Sequence, residues 1–411
     1  MYCRYCLLLE SEEIIILMNI AVFLSDLSVC GGSQRAFLQN VHYLLSKGHE
    51  ISIYCCTLDK LRCFPPMWNG LEYLKVKKLD IDFNGPRLLF RRPFISLDVS
   101  RYIDVHDIYY FWDNVGLWLS LGVRLRRRKN VIWCAIDMPD YYYCGVYEDS
   151  KTYMDFGLVK RCLRKSRDFF HRAVDRYVFG SSVAHCIVHV GKNAKLVKTF
   201  LDLESTVAYP VADIAFKGLA AQREHVEPIF VTSIAAMFPY RRFEDLISAA
   251  AILMKRGVVI NLVVAGETKF SPDYFEKLKA LVEFSELGST VILRGALTEI
   301  ELKDILLRTK IFVWCNHNQS WGVIVPEAIT AGVPVIVSRT SGVSEIIAHE
   351  RHGLIVDSKS PIELAQAIER MLFDKEFVKR STKAAELEIL PKLTLDVHGK
   401  TVENVLFEFS Q

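Results

Sequence analysis

Residues 310–338 read KIFVWCNHNQSWGVIVPEAITAGVPVIVS. The run KIFVWC is short and apolar, as a strand buried on both faces of a parallel sheet must be. After a polar loop, Pro326 suits the first turn of a short helix of small apolar residues. VPVIVS then reads as the next buried strand. Strand, loop, helix and strand in this order form one winding of a parallel α/β sheet. Inside it Gln319 stands eight positions before Glu327, and these two side chains pose the functional question.

The same rhythm runs outward in both directions. Toward the C-terminus follows GLIVD. Toward the N-terminus lie VILRG, INLVVAG and IFVTSIA as strands. Helices are expected from Arg242 to Arg256, through PDYFEKLKALVEF and from Thr298. The first half repeats the grammar: NIAVFLS, HEISIYCC, DIYYFW, NVIWCAI and RYVFGSS read as strands, and GGSQRAFLQNVHYLLSKG as a helix with Phe37, Val41, Leu44 and Leu45 on one face. The fold class is therefore α/β, two Rossmann-like doubly wound domains facing a central cleft.

The expected boundaries are an N-terminal Rossmann-like domain over 18–215 and a C-terminal Rossmann-like domain over 226–375. A helical segment over 376–411 is expected to pack back on the first domain. Residues 1–17 are read as a start-site artefact or a disordered extension, since MNIAVFLSDLS is a natural opening for a first strand.

At 411 residues with 51% hydrophobic and 24% charged side chains, the chain has material for two cores. No apolar run approaches the roughly 20 residues a membrane span needs. Glu10, Glu12 and Glu13 stand where a secretory signal would be basic. Of eleven scattered cysteines only Cys3 and Cys6 have C-x-x-C spacing, with no second pair or histidine to complete a metal site, so they read as reduced core thiols and a cytoplasmic protein is expected. Residues 1–210 carry a net charge of +6 and residues 211–411 one of −3, so anionic partners are expected near the first half. Nothing resembles a nucleic-acid readout motif.

Gly31 and Gly32 open the first helix, where backbone amides can approach an anion; a tight turn is the plainer reading. Gly322 lets the later loop come close to a phosphate, with the amides of Val323, Ile324 and Val325 behind it. Glu327 falls in the first turn of its helix, where the dipole favours the ionised form. An ionised carboxylate can accept two hydroxyl hydrogen bonds from a ribose diol.

Taken together, CGGSQRAFLQNVHYLLSKGHEISIY, VDRYVFGSS…TVAYPVAD, RRFEDLISAA and WGVIVPEAITAGVPVIVSRTSGVSEII…GLIVD resemble the family 4 glycosyltransferases (glycosyl transferases group 1) of the GT-B fold. The resemblance covers nearly the whole chain from Met18. It implies metal-independent transfer from a nucleotide-diphosphate sugar, with retention at the anomeric carbon, to a glycan, lipid-linked or small-molecule acceptor. No cofactor is implied beyond that co-substrate. Glu327 matches the glutamate that holds the donor ribose, and Gly322 with the amides after it matches the loop near the diphosphate. Gly31 and Gly32 match the loop facing the cleft from the other domain. Arg241 falls where the family usually has a lysine paired with the diphosphate, and keeps its charge.

Three positions depart from the pattern. The first motif carboxylate is Gln319, the expected phosphate-binding arginine is Ala236, and a histidine after a central N-domain strand is replaced by Ile136, beside Asp137. Gln319 can hydrogen-bond a sugar hydroxyl without placing a negative charge beside it. Arg339 and Arg35 are candidate substitute cations. These departures keep open a non-catalytic nucleotide-sugar-binding subunit, and the two-domain fold leaves room for a nucleotide-sugar epimerase. Asp137 and Asp140, at the end of a strand, could orient an acceptor hydroxyl or act as a base; a capping or turn role for DMPD is the equal alternative. Asp80 and Asp82 have D-x-D spacing but read as solvated surface. The basic amphipathic helix expected over 157–179, with RLRRRK at 124–129, suggests either a packed helix with a solvated face or a peripheral membrane contact.

Overall fold

The computed structural model describes residues 16–81, 92–136, 169, 172–219, 222, 230–269, 271–317 and 321–411. They divide into two compact units. The first comprises the described residues up to Ile136, those from 169 to Pro210, and Leu395–Gln411; the second is Val211–Thr394.

The first unit holds a parallel sheet of β1 (Asn19–Phe23), β2 (Glu50–Cys55), β3 (Lys75–Lys78), β4 (Ile108–Trp112), β5 (Val131–Ala135), β6 (His185–Val188) and β7 (Ser205–Val207). Its spatial order is β3-β2-β1-β4-β5-β6-β7. Alternate residues feed two cores, as the two-residue period of a strand requires. Ile20, Val22, Tyr110 and Trp112 pack on one face with Phe37 and Val41 of α1 (Gly32–Ser46). Ala21, Phe23, Tyr109 and Phe111 pack on the other with Val99 of α2 (Arg92–Val99) and Leu119 of α3 (Asp113–Arg127). Gly122 of α3 crosses α2 so closely that a Cβ there would lie 2.1 Å from the Ser96 carbonyl oxygen.

One expected strand is a helix. RYVFGSS lies in a helix over 172–182, and the strand follows at His185–Val188. Phe179 and Ser182 are buried while Tyr177 is 85% exposed, a helical spacing that a short apolar run does not reveal by itself. After β6 comes α4 (Gly191–Leu201).

The second unit repeats the plan with β8 (Phe230–Ile234), β9 (Asn261–Ala265), β10 (Val291–Arg294), β11 (Thr309–Trp314), β12 (Val335–Ser338) and β13 (Leu354–Val356). The order is β10-β9-β8-β11-β12-β13, again parallel throughout. Its helices are α5 (Phe243–Lys255), α6 (Pro272–Phe284), α7 (Glu299–Arg308), α8 (Ile324–Thr330), α9 (Pro361–Phe373) and α10 (Lys375–Glu388). Thr298 starts α7 with a capping box to Glu301, satisfying two otherwise orphaned amides. Among the described residues no helix is long and apolar enough to cross a membrane. The seven described cysteines are free thiols.

The chain returns to the first unit through α11 (Leu395–Ser410), whose Val402, Val405 and Leu406 join the core beside α1. Gly399 permits this contact, because a Cβ there would sit 2.2 Å from Cγ of Tyr43. Glu403 accepts hydrogen bonds from Tyr43 Oη at 3.1 Å and His49 Nε2 at 2.9 Å. His398, 2% exposed, is fixed in one tautomer. Its Nδ1 faces the Tyr209 carbonyl at 2.7 Å and must donate, so its Nε2 accepts from Asn40 Nδ2 at 2.9 Å.

Burial holds His398 and its neighbour His189 neutral, lowering their pKa values to about 4 and about 3. Below the ordinary histidine pKa of about 6.5 the unfolded chain takes up protons that the folded one refuses. Stability is therefore full above that value, declines as pH falls toward 3, and levels off below. His398→Gln should make the fall in urea midpoint between pH 6.5 and 4 shallower than in the wild type. An unchanged slope would show that His398 is not held neutral.

Candidate functional site

In the second unit the strand order reverses between β8 and β11. These strands are paired neighbours whose crossovers leave in opposite directions, so their C-terminal loops diverge and leave room for a ligand. A buried hydroxyl pair, Thr232 with Thr309 at 2.8 Å, ties the two strands together. The loop after β8 is also clamped from its other side. Gly266, at φ +149°, passes so close that a Cβ would lie 1.7 Å from the Ala235 carbonyl oxygen. Met237 N donates to Glu267 O at 2.8 Å, and His317 N, beyond β11, donates to Tyr240 O at 2.8 Å. Ala236 therefore belongs to a tightly held backbone turn.

This loop ends in a single turn of 3₁₀ helix, Pro239–Arg241. The adjacent arginines have different surroundings. Arg242, at φ +55°, is ion-paired with Asp245 at 2.6 Å and Glu244 at 2.9 Å. Asp245 also accepts from Lys359 N at 3.0 Å, so this group anchors α5. The Arg241 guanidinium carbon lies 4.9 Å from the Tyr240 ring centroid and 5.0 Å from that of Trp314.

Trp314 ends β11 and is 4% exposed. Gly322, at φ +77°, packs against it; a Cβ there would be 2.7 Å from Cε2 and Cζ2 of the indole. Val323 caps α8, and Glu327 lies in its first turn, 4% exposed. The helix N-terminus favours a carboxylate at such a position. Of the three amides expected to be available, that of Val325 already donates to Gly322 O at 2.9 Å. Arg241 and Gly322 thus meet through Trp314, and Glu327 lies one helical turn further on.

Arg339, considered as a substitute cation, pairs with Asp357 at 2.7 Å. Arg35, in the first unit, lies over the Phe64 ring at 4.9 Å. Gly31 caps α1 with φ −144°, and Gly32 is the first helical residue. Ile136 follows β5 and donates to Cys134 O at 3.1 Å. Gln319, Asp137, Asp140 and Asp82 lie outside the described residues, as does most of 157–179. From that last stretch, Arg176 pairs with Asp202 at 3.3 Å and Arg172 lies over Phe200 at 5.1 Å. Among the described residues no group of three His, Cys, Asp or Glu side chains is placed to hold a metal ion.

Sequence reasoning missed four residues. Trp314 and Tyr240 were given no role there, and Gly266 stood only as the end of the INLVVAG strand. Asp113, in the first unit, was also missed. It lies at φ +58° and accepts from the amides of Ser25, Val115 and Gly116 at 2.8–2.9 Å, joining the ends of β1 and β4. Burial pushes its carboxyl pKa up.

Residues 219–388 match the family described as glycosyl transferases group 1. That segment is similar to the group 1 glycosyltransferases. Relatives include the uncharacterized glycosyltransferase MJ1607 of Methanocaldococcus jannaschii, 30% identical over 162 residues, covering 39% of this chain and 40% of that protein. D-inositol 3-phosphate glycosyltransferase of Pseudarthrobacter chlorophenolicus is 30% identical over 131 residues, 31% of each. The chain thus spans well under half the length of these two relatives. Human alpha-1,3/1,6-mannosyltransferase ALG2 is 22% identical over 374 residues, 84% of this chain and 85% of that protein. Among solved structures, Anabaena Alr3699/HepE in complex with UDP and glucose superposes with a TM-score of 0.73 at 13% identity, covering 95% of this chain and 100% of that one. WaaG, a glycosyltransferase involved in lipopolysaccharide biosynthesis, gives 0.66 at 15% identity, covering 94% and 99%. The fold is GT-B, with two Rossmann-like α/β units.

Gly322→Ala combines a disfavoured φ with a clash against a buried indole, and should cost about 1–3 kcal/mol of stability. Urea unfolding of the variant measures this. A midpoint equal to the wild type would show that the loop does not press on Trp314.

Proposed function

We propose that the chain is a retaining glycosyltransferase that moves a sugar from a nucleotide-diphosphate sugar to a glycan, lipid-linked or small-molecule acceptor. The observation that carries this reading is the convergence of Arg241, Gly322 and the buried Glu327 at the β8/β11 strand reversal. Glu327 would accept hydrogen bonds from both ribose hydroxyls. Arg241 and the amides of Val323 and Ile324 would neutralise the diphosphate, stabilising it as it leaves.

In the reaction the bond from the anomeric carbon to the phosphate oxygen breaks, and the acceptor hydroxyl oxygen bonds to that carbon on the same face. The hydroxyl proton passes to the departing phosphate, so no protein base is required. Gln319 would touch the donor sugar, Asp137 would orient the acceptor, and the amides at Gly31 and Gly32 would approach an anionic group. The charge of the diphosphate is met by Arg241 and backbone donors, and no metal ion is invoked. The free thiols fit a cytoplasmic location, and the basic stretch 157–179 would give a peripheral contact with the inner face of the membrane.

A second reading, a non-catalytic nucleotide-sugar-binding subunit, draws on the uncharged Ala236 in the clamped turn and on Gln319. Calorimetry with UDP-, GDP- and ADP-sugars, followed by slow donor hydrolysis, separates the two. The transferase binds one donor class and slowly releases free sugar, and Glu327→Gln weakens that binding by about ten- to a hundredfold, the worth of a charged hydrogen bond. Binding without hydrolysis, unchanged in Gln319→Glu, supports the subunit. A folded sample that binds none of the donors refutes both.

A further inference from the structure

We infer that Trp314 is a positioning residue that aims the Arg241 guanidinium, so that a lysine could not replace the arginine there. The inference rests on the reading of this site as the donor diphosphate site. Arg241 lies within 5.0 Å of the ring centroids of both Tyr240 and Trp314, at distances typical of cation–π attraction. Both rings are themselves held. Tyr240 stacks on Phe238 with centroids 5.2 Å apart and planes 10° from parallel, and its carbonyl accepts from His317 N. Trp314 is fixed by the end of β11 and wedged against Gly322. Among the described residues its buried Nε1 has no hydrogen-bond partner, although buried indole N–H groups usually find one.

A flat, weakly hydrated guanidinium can lie against an indole face and still present donors at its edge. A lysine ammonium is a compact, strongly hydrated charge on a flexible stem, and stacking would not hold it in one direction. Charge alone is therefore not what this position supplies. The Trp314 platform converts a mobile charge into a directed one, and Gly322 keeps the platform in place. Arg242, committed to Glu244 and Asp245, cannot take over.

The test is calorimetric binding of UDP, GDP, UMP and GMP to the full chain as wild type, Trp314→Leu, Trp314→Phe, Arg241→Ala, Arg241→Lys and the double variant Trp314→Leu/Arg241→Ala. Circular dichroism checks that each is folded. Trp314→Leu should weaken the nucleoside diphosphate that the wild type binds by about tenfold, the scale of a desolvated cation–π contact. Trp314→Phe should recover most of that loss, and Arg241→Lys should behave like Trp314→Leu. The double variant should bind no more weakly than Arg241→Ala alone, and the monophosphates should be unaffected throughout. Additive losses in the double variant, wild-type affinity in Arg241→Lys, or wild-type affinity in Trp314→Leu would each overturn the inference while leaving the site reading standing. A folded wild type that binds neither diphosphate would remove the site reading and this inference with it.

Discussion

The reversal of strand order beside the first strand of each sheet is the constraint from which the rest follows. Crossovers in a parallel sheet are right-handed, so a chain that winds outward from the middle in both directions must send two neighbouring strands into helices on opposite faces. Their loops then part. In the second unit this happens between β8 and β11, and Arg241, Gly322 and Glu327, proposed to meet the donor, lie on those two loops or the helix after the second. In the first unit the same reversal lies between β1 and β4, where the carboxylate of Asp113 closes the gap by accepting from Ser25 N.

An open crevice is only useful if its walls hold still, and glycine does much of this work. Gly266 and Gly322 both have positive φ and both lie where any Cβ would strike a neighbour, the Ala235 carbonyl in one case and the Trp314 indole in the other. Each lets one loop lean on the next. The aromatic column of Phe238, Tyr240, Arg241 and Trp314 is the product of that leaning.

The layered architecture was legible in the sequence because the strands are short apolar runs and the helices carry one-sided patterns. The exception was RYVFGSS, where a few apolar residues fit either period and only burial distinguishes them. Glu327 and Gly322 stood out because an acid in a short apolar helix and a glycine before it are chemically conspicuous. Trp314 did not, since a tryptophan at the end of KIFVWC looks like one more core residue. Gly266 was hidden for another reason: its role depends on a carbonyl thirty-one residues earlier, and such a long-range approach leaves no local trace. The separate fates of Arg241 and Arg242 are likewise a matter of backbone conformation, because φ +55° at the second turns its side chain toward Asp245.

The return of α11 to the first unit has a consequence for synthesis. The first core needs Val402, Val405 and Leu406, yet the whole second unit is translated before they appear. At ordinary elongation rates those intervening residues occupy roughly ten to forty seconds. During that interval the nascent first unit shows the ribosome surface a bare face on α1, with Asn40, Tyr43 and His49 awaiting partners. It is a face on which a holdase chaperone could rest until the last helix arrives.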